Sequence, residues 1–168
     1  MSGWSPLGDA DWTVADGAVG FTKGHGTLGT IDSFANFELK VDFWAEKTSN
    51  TGVFIRVTPV GTGAAFYEIN IFDTHDTAPT GSIINVRPGT PPTPAYSVLP
   101  ERPDTAGRWN TYDITANGTH LVVDLNGKVT ADIQEEQQKL VSGPIRLQAG
   151  GPGGPGAAKF RNIKIRVL

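Results

Sequence analysis

Apolar and polar side chains alternate with period two through much of this chain. The alternation is clearest in residues 50–56 (NTGVFIR) and 66–73 (FYEINIFD). Period two is the repeat of a β-strand, whose side chains point to opposite faces in turn. In the second segment Tyr67, Ile69 and Ile71 share one face, and Phe66, Glu68, Asn70 and Phe72 share the other. In the first, Val53, Ile55 and Val57 fall together, opposite Phe54 and Arg56. Each strand is thus expected to have an aliphatic face and a face that mixes aromatic rings with charge and amide. A solvent face has no need of three phenylalanines. A core face tolerates Arg and Glu only when they are paired. Rings that stack on sugar C–H surfaces, beside fixed polar groups that read hydroxyls, account for the mixture.

Residues 37–44 (FELKVDFW) give a third alternating strand, with Phe37, Leu39, Val41 and Phe43 inward and Trp44 on the opposite face. Asp16-Gly17 and Asn126-Gly127 are hairpin signals between short apolar segments. Further strands are expected over 81–87, 109–115, 121–125, 144–148 and 160–168. Residues 131–140, rich in Gln and Glu, read as at most a short helical turn. No amphipathic helix emerges, so the pattern predicts an all-β sandwich of about ten or more short strands. The 168 residues suit a single domain spanning 1–168.

Composition narrows the function classes. A net charge of −3 gives no reason to expect nucleic acid. No apolar run is long enough to span a bilayer, and residues 1–6 do not read as a signal peptide. Cysteine is absent, which excludes thiolate metal sites. Residues 24–29 and 150–156 match a dinucleotide fingerprint formally. No helix follows either, so both read as glycine-rich turns. Neither a nucleophile elbow nor the paired carboxylates of retaining laminarinase-type enzymes is present.

Several segments taken in order carry a resemblance: Trp12 with Asp16-Gly17-Ala18, GTLGT at 26–30, FEL at 37–39, NTGVFIR at 50–56, Tyr67-Glu68 with Asp73, WNTY at 109–112, LNG at 125–127, IRLQ at 145–148 and FRNI at 160–163. This resembles the 3-keto-disaccharide hydrolase family over nearly the whole chain. The resemblance implies a concanavalin A-like jelly roll of two curved antiparallel sheets, with a groove on the concave one. It implies action on 3-keto-glycosides in some members, and export or a periplasmic location for many. Where the family has Gln two residues after the Glu, this chain has the shorter Asn70, which points to a changed substrate or a lost activity.

A 3-keto sugar has an acidified C2 proton, so its glycosidic bond breaks by elimination given a base near C2 and a cation or metal near the ketone. Glu68 is the candidate base and Arg56 the candidate electrophile; the alternative is a structural cross-strand salt bridge. Candidate substrate-binding residues are Trp44, Phe54, Asn70, Phe72, Tyr96, Arg102 and Gln148. Asp73, His75 and Asp76 are candidate ligands for an optional divalent metal, against the alternative of a capped polar turn. No other cofactor is required. The expected partner is a small-molecule or oligosaccharide ligand, with the oligomeric state open. A non-catalytic carbohydrate-binding module is the competing function. The Pro-rich segment 88–104 is expected to fold over the groove as a lid, against the alternative of a passive connector.

Overall fold

The computed structural model describes residues 2–95, 102–136, 138–154 and 156–168. In chain order the strands are β1 (Trp4–Gly8), β2 (Thr13–Ala15), β3 (Ala18–Phe21), β4 (Gly26–Thr30), β5 (Phe37–Ala45), β6 (Thr51–Val60) and β7 (Gly63–Ile71). They continue with β8 (Ile83–Val86), β9 (Thr93–Ala95), β10 (Asn110–Asn117), β11 (His120–Leu125), β12 (Lys128–Gln134), β13 (Arg146–Ala149) and β14 (Ala158–Val167). One seven-stranded sheet runs β1-β4-β13-β6-β7-β8-β9, and the other runs β12-β11-β10-β5-β14-β3-β2. We call them the first and second sheet. Within each sheet, neighbouring strands pair antiparallel throughout. The architecture is a concanavalin A-like jelly-roll sandwich, as the alternation and the resemblance led one to expect. No helix among the described residues is long and apolar enough to cross a membrane, a statement that does not bear on β-barrels.

The core lies between the sheets. Phe37, Leu39, Val41 and Phe43 of β5 and Tyr112 and Ile114 of β10 face Val53 and Ile55 of β6 and Tyr67, Ile69 and Ile71 of β7. Hairpins set the register. Asp16 and Gly17 both have positive φ in the β2–β3 turn, and Asn126 and Gly127 do the same between β11 and β12.

Two segments differ from the expected reading, and a third, glycine-rich one agrees with it. Residues 128–134 form β12, because Ala131 and Ile133 enter the core at spacing two while the polar residues between them face out. The second glycine-rich match, 150–154, folds back on Asn50: the Asn50 amide donates to the Pro152 carbonyl at 2.8 Å. A Cβ on Gly151 or Gly154 would collide with Asn50, so these glycines serve a close backbone approach rather than phosphate. Within 88–104, Thr93–Ala95 pairs with β8 as an edge strand. Residues 96–101 of the expected lid, and Tyr96 with them, lie outside the described residues.

The third difference decides the site. β6 pairs Ile55 with Tyr67 and Thr58 with Ala65, so Arg56 and Val57 together oppose Phe66 alone. That is a β-bulge, which inserts one residue and reverses the alternation beyond it. Arg56 adopts φ +52° there. Its side chain turns into the end of the sandwich, and only 2% of the residue is exposed.

Candidate functional site

The outer face of the first sheet is built by the residues between the core positions. Ser5, Gly29, Arg146, Phe54, Glu68 and Ile84 form one directly paired row from β1 to β8. A second row pairs Leu7 with Thr27 and Gln148, and Gly52 with Asn70. Continuing the Arg146–Phe54 and Leu147–Val53 register sets Gln148 beside Gly52. Phe54 stacks on Phe66 with ring centroids 4.1 Å apart and planes 22° from parallel.

Glu68 is the chemical centre of this face. Its carboxylate lies over Gly52, where a Cβ would stand 3.1 Å from Oε1 and 2.9 Å from the Ile69 carbonyl oxygen. Glycine is the residue that leaves room for it. Burial alone pushes the Glu68 carboxyl up to about 7, because no hydrogen bond or ion pair among the described residues stabilises the charged form. Around it, Thr27 Oγ1, Gln148 Oε1 and Asn70 Oδ1 are buried without hydrogen-bond partners. Buried polar atoms are ordinarily paired. Three orphaned oxygens in one row, next to an unpaired carboxylate, form a set of acceptors for a ligand that brings its own donors. Arg146 lies across Gly29 in the same row as Glu68, with no partner among the described residues. Two strand spacings separate it from Glu68, about 10 Å between backbones, and Phe54 lies between them.

The structure therefore brings together Glu68, Phe54, Asn70 and Gln148 from the expected set. It moves Arg56 out. The Arg56 guanidinium donates to the carbonyls of Ala35 (2.9 and 2.7 Å), Gly118 (2.6 Å) and Leu140 (2.9 Å). It is a strut at the end of the sandwich, not an electrophile beside Glu68, and the bulge is the reason. Trp44 belongs to the outer face of the second sheet, with Lys159 Nζ 5.1 Å from its ring centroid; the whole sandwich separates it from Glu68.

Phe72 packs edge-on against His75, 5.9 Å between centroids, rather than against Phe54. Arg102 donates to the carbonyls of His75 (2.9 Å) and Asp76 (3.0 Å) and so pins the 73–81 loop.

The expected metal ligands do not converge. Asp73 accepts from the Thr80 and Thr105 hydroxyls and from the amides of Thr105 and Ala106. His75 Nδ1 accepts from the amides of Thr77 and Ala78. Asp76 faces solvent beside Arg102. This is a capped polar turn, and among the described residues no three His, Cys, Asp or Glu side chains cluster to hold a metal. Sequence reasoning missed Arg146, Thr27 and Gly52. For Arg146 the signal was present: it stands two residues before Gln148 in a strand, hence on the same face.

A family model described as the 3-keto-alpha-glucoside-1,2-lyase-like domain matches residues 1–166. Among solved structures, a candidate glycosyl hydrolase from Parabacteroides distasonis aligns with a TM-score of 0.73 at 23% identity, covering 98% of this chain and 99% of that one. The carbohydrate-binding module CBM66 from Bacillus subtilis aligns with a TM-score of 0.73 at 13% identity, over 99% of this chain and 96% of that one. A Bacillus subtilis protein with a galectin-like fold gives 0.72 at 13% identity, over 97% and 88%. These likenesses establish the shared sandwich. No functionally curated protein matches significantly.

Proposed function

The chain belongs to the 3-keto-alpha-glucoside-1,2-lyase-like family, and from that premise we propose that it cleaves 3-keto-glycosides on the outer face of the first sheet, with Glu68 as the base. The observation that carries the reading is the unpaired Glu68 carboxyl, pushed up to about 7 over Gly52. A base is most effective when its pKa lies near the working pH. Glu68 takes the C2 proton, and the electron pair passes into an enolate at C3. The C1–O bond then breaks as C1=C2 forms and the C3 carbonyl returns, and the leaving oxygen is protonated to the free alcohol. Water adding across C1=C2 completes a net hydrolysis.

Arg146 takes the role first expected of Arg56: a cation on the same face to hold the developing oxyanion. Phe54 supplies an apolar platform for the ring. Gln148, Thr27 and Asn70 supply acceptors for hydroxyl donors.

Asn70 favours a second reading. Its amide nitrogen is held by the Ala78 carbonyl, which leaves only Oδ1 toward a ligand; such an arm suits a sugar-binding module as well as an enzyme. Incubation with a 3-keto-glucoside and with its unoxidised parent separates the readings. Release of aglycone from the keto form alone supports the lyase. Calorimetric binding of unmodified sugar without turnover of the keto form supports the module and overturns the lyase.

A further inference from the structure

Beyond Phe66 the outer face of the first sheet opens into a groove of about 650 Å³ whose lining includes Leu7, Val57, Pro59, Ala64, Pro144 and Arg146. The same bulge that removes Arg56 creates it. Past the bulge the alternation is reversed, so Val57 lines the groove instead of joining the core cluster, and Pro59 pairs with Ala64 beside it. On β7 the outward positions run Ala64, Phe66, Glu68, and Ala64 stands about 14 Å from Glu68 at strand spacing. The stacked Phe54–Phe66 pair fills the interval as an aromatic floor. Arg146 belongs both to the groove wall and to the Glu68 row. The groove is therefore an extension of the site, at the distance a glycosidic substituent reaches.

We infer that the substrate of the Glu68 site is a 3-keto-glycoside with an apolar, aromatic-sized aglycone, which occupies this groove. The inference rests on the proposed function for the sugar end. Its own ground is the lining: Leu7, Val57, Pro59, Ala64 and Pro144 offer the larger, apolar share of its surface to a ring system, beside a smaller polar share from Ser33, Thr58, Thr62, Ser142 and Arg146. The volume is in the range of small-molecule sites.

The test compares 3-keto-glucosides bearing 2-naphthyl, methyl and glucosyl leaving groups, on the wild type and on Ala64→Trp. Thr62→Trp, on the exposed β6–β7 turn, is the second variant should the first fail to fold. Calorimetry with 2-naphthyl and methyl glucosides runs beside it. The expected result is a kcat/KM at least about tenfold higher for the naphthyl compound than for the other two. Filling the groove with Trp should collapse the naphthyl-to-methyl ratio toward one. Turnover that favours the glucosyl substrate, or a ratio that neither variant moves, overturns the inference and leaves the lyase reading intact. Naphthyl glucoside binding that the variants abolish, with no keto-glycoside turned over, upholds the groove while the lyase reading falls. Absence of both binding and turnover overturns both.

Discussion

The carboxylate of Glu68 rests against Gly52, so closely that a methyl group on the glycine would stand only 3.1 Å from Glu68 Oε1. A side chain at position 52 would meet the Ile69 carbonyl as well, at 2.9 Å. Gly52→Ala is therefore expected to destabilise the fold by about 1–3 kcal/mol, the usual cost of overpacking, and to weaken sugar binding by displacing Glu68. Denaturant unfolding and calorimetry on the same variant measure the two effects.

The carboxylate has a stability signature of its own. The Glu68 pKa is raised from 4.5 to about 7 by burial, so the folded state binds its proton more tightly than the unfolded state does. Stability linked to that proton is fully present below the unfolded value. It declines as pH rises from about 4.5 toward 7 and then levels off. Glu68→Gln removes the penalty, and should raise stability by about 2–3 kcal/mol at pH 8 while changing little at pH 4.5. Unfolding curves of both proteins at the two pH values test this. A stabilised variant with lost activity is the mark of a group held for function rather than for folding.

Much of this was legible in the sequence, and the exceptions have physical causes. Alternation in residues 66–72 put Glu68 and Asn70 on one face correctly, because β7 keeps its period of two through Ile71. Alternation in 50–57 failed at Arg56, because a bulge is signalled by no residue type: Arg at φ +52° is an uncommon conformation for a non-glycine side chain. Trp44 was misplaced for a different reason. Period two separates inward from outward positions but does not say to which of two sheets a strand belongs. The pairing of β5 with β10 and β14 decides that, and such long-range pairing leaves no local trace. Asp73 and His75 carry metal-ligand chemistry by composition, but the same oxygens and nitrogen cap a turn when backbone amides are close.

The two arginines should separate cleanly. Arg56→Ala leaves the carbonyls of Ala35, Gly118 and Leu140 without their buried donor, and is expected to destabilise by at least about 3 kcal/mol. Arg146→Ala is expected to change stability by no more than about 0.5 kcal/mol while lowering keto-glycoside turnover at least about tenfold. Parallel thermal melts and rate measurements distinguish a strut from a substrate contact.

Thr27 Oγ1 is buried and unpartnered. Thr27→Val, which removes an unsatisfied oxygen at nearly constant volume, should be neutral or stabilising by up to about 1 kcal/mol. The same change should weaken ligand binding about fivefold if that oxygen accepts a sugar hydroxyl. Melting temperature and calorimetric Kd, taken together, give the answer.

The most direct measurement is the pH dependence of kcat/KM for aglycone release from a 3-keto-glucoside, run on the wild type and on Glu68→Gln. With Glu68 as the base, the wild-type rate should climb through about pH 7, as its carboxyl ionises, and then level off. The variant should be slower by about 10²–10⁴-fold, the usual contribution of a general base. A Glu68→Gln protein that releases aglycone as fast as the wild type would contradict the assignment, as would a wild-type profile flat across that range.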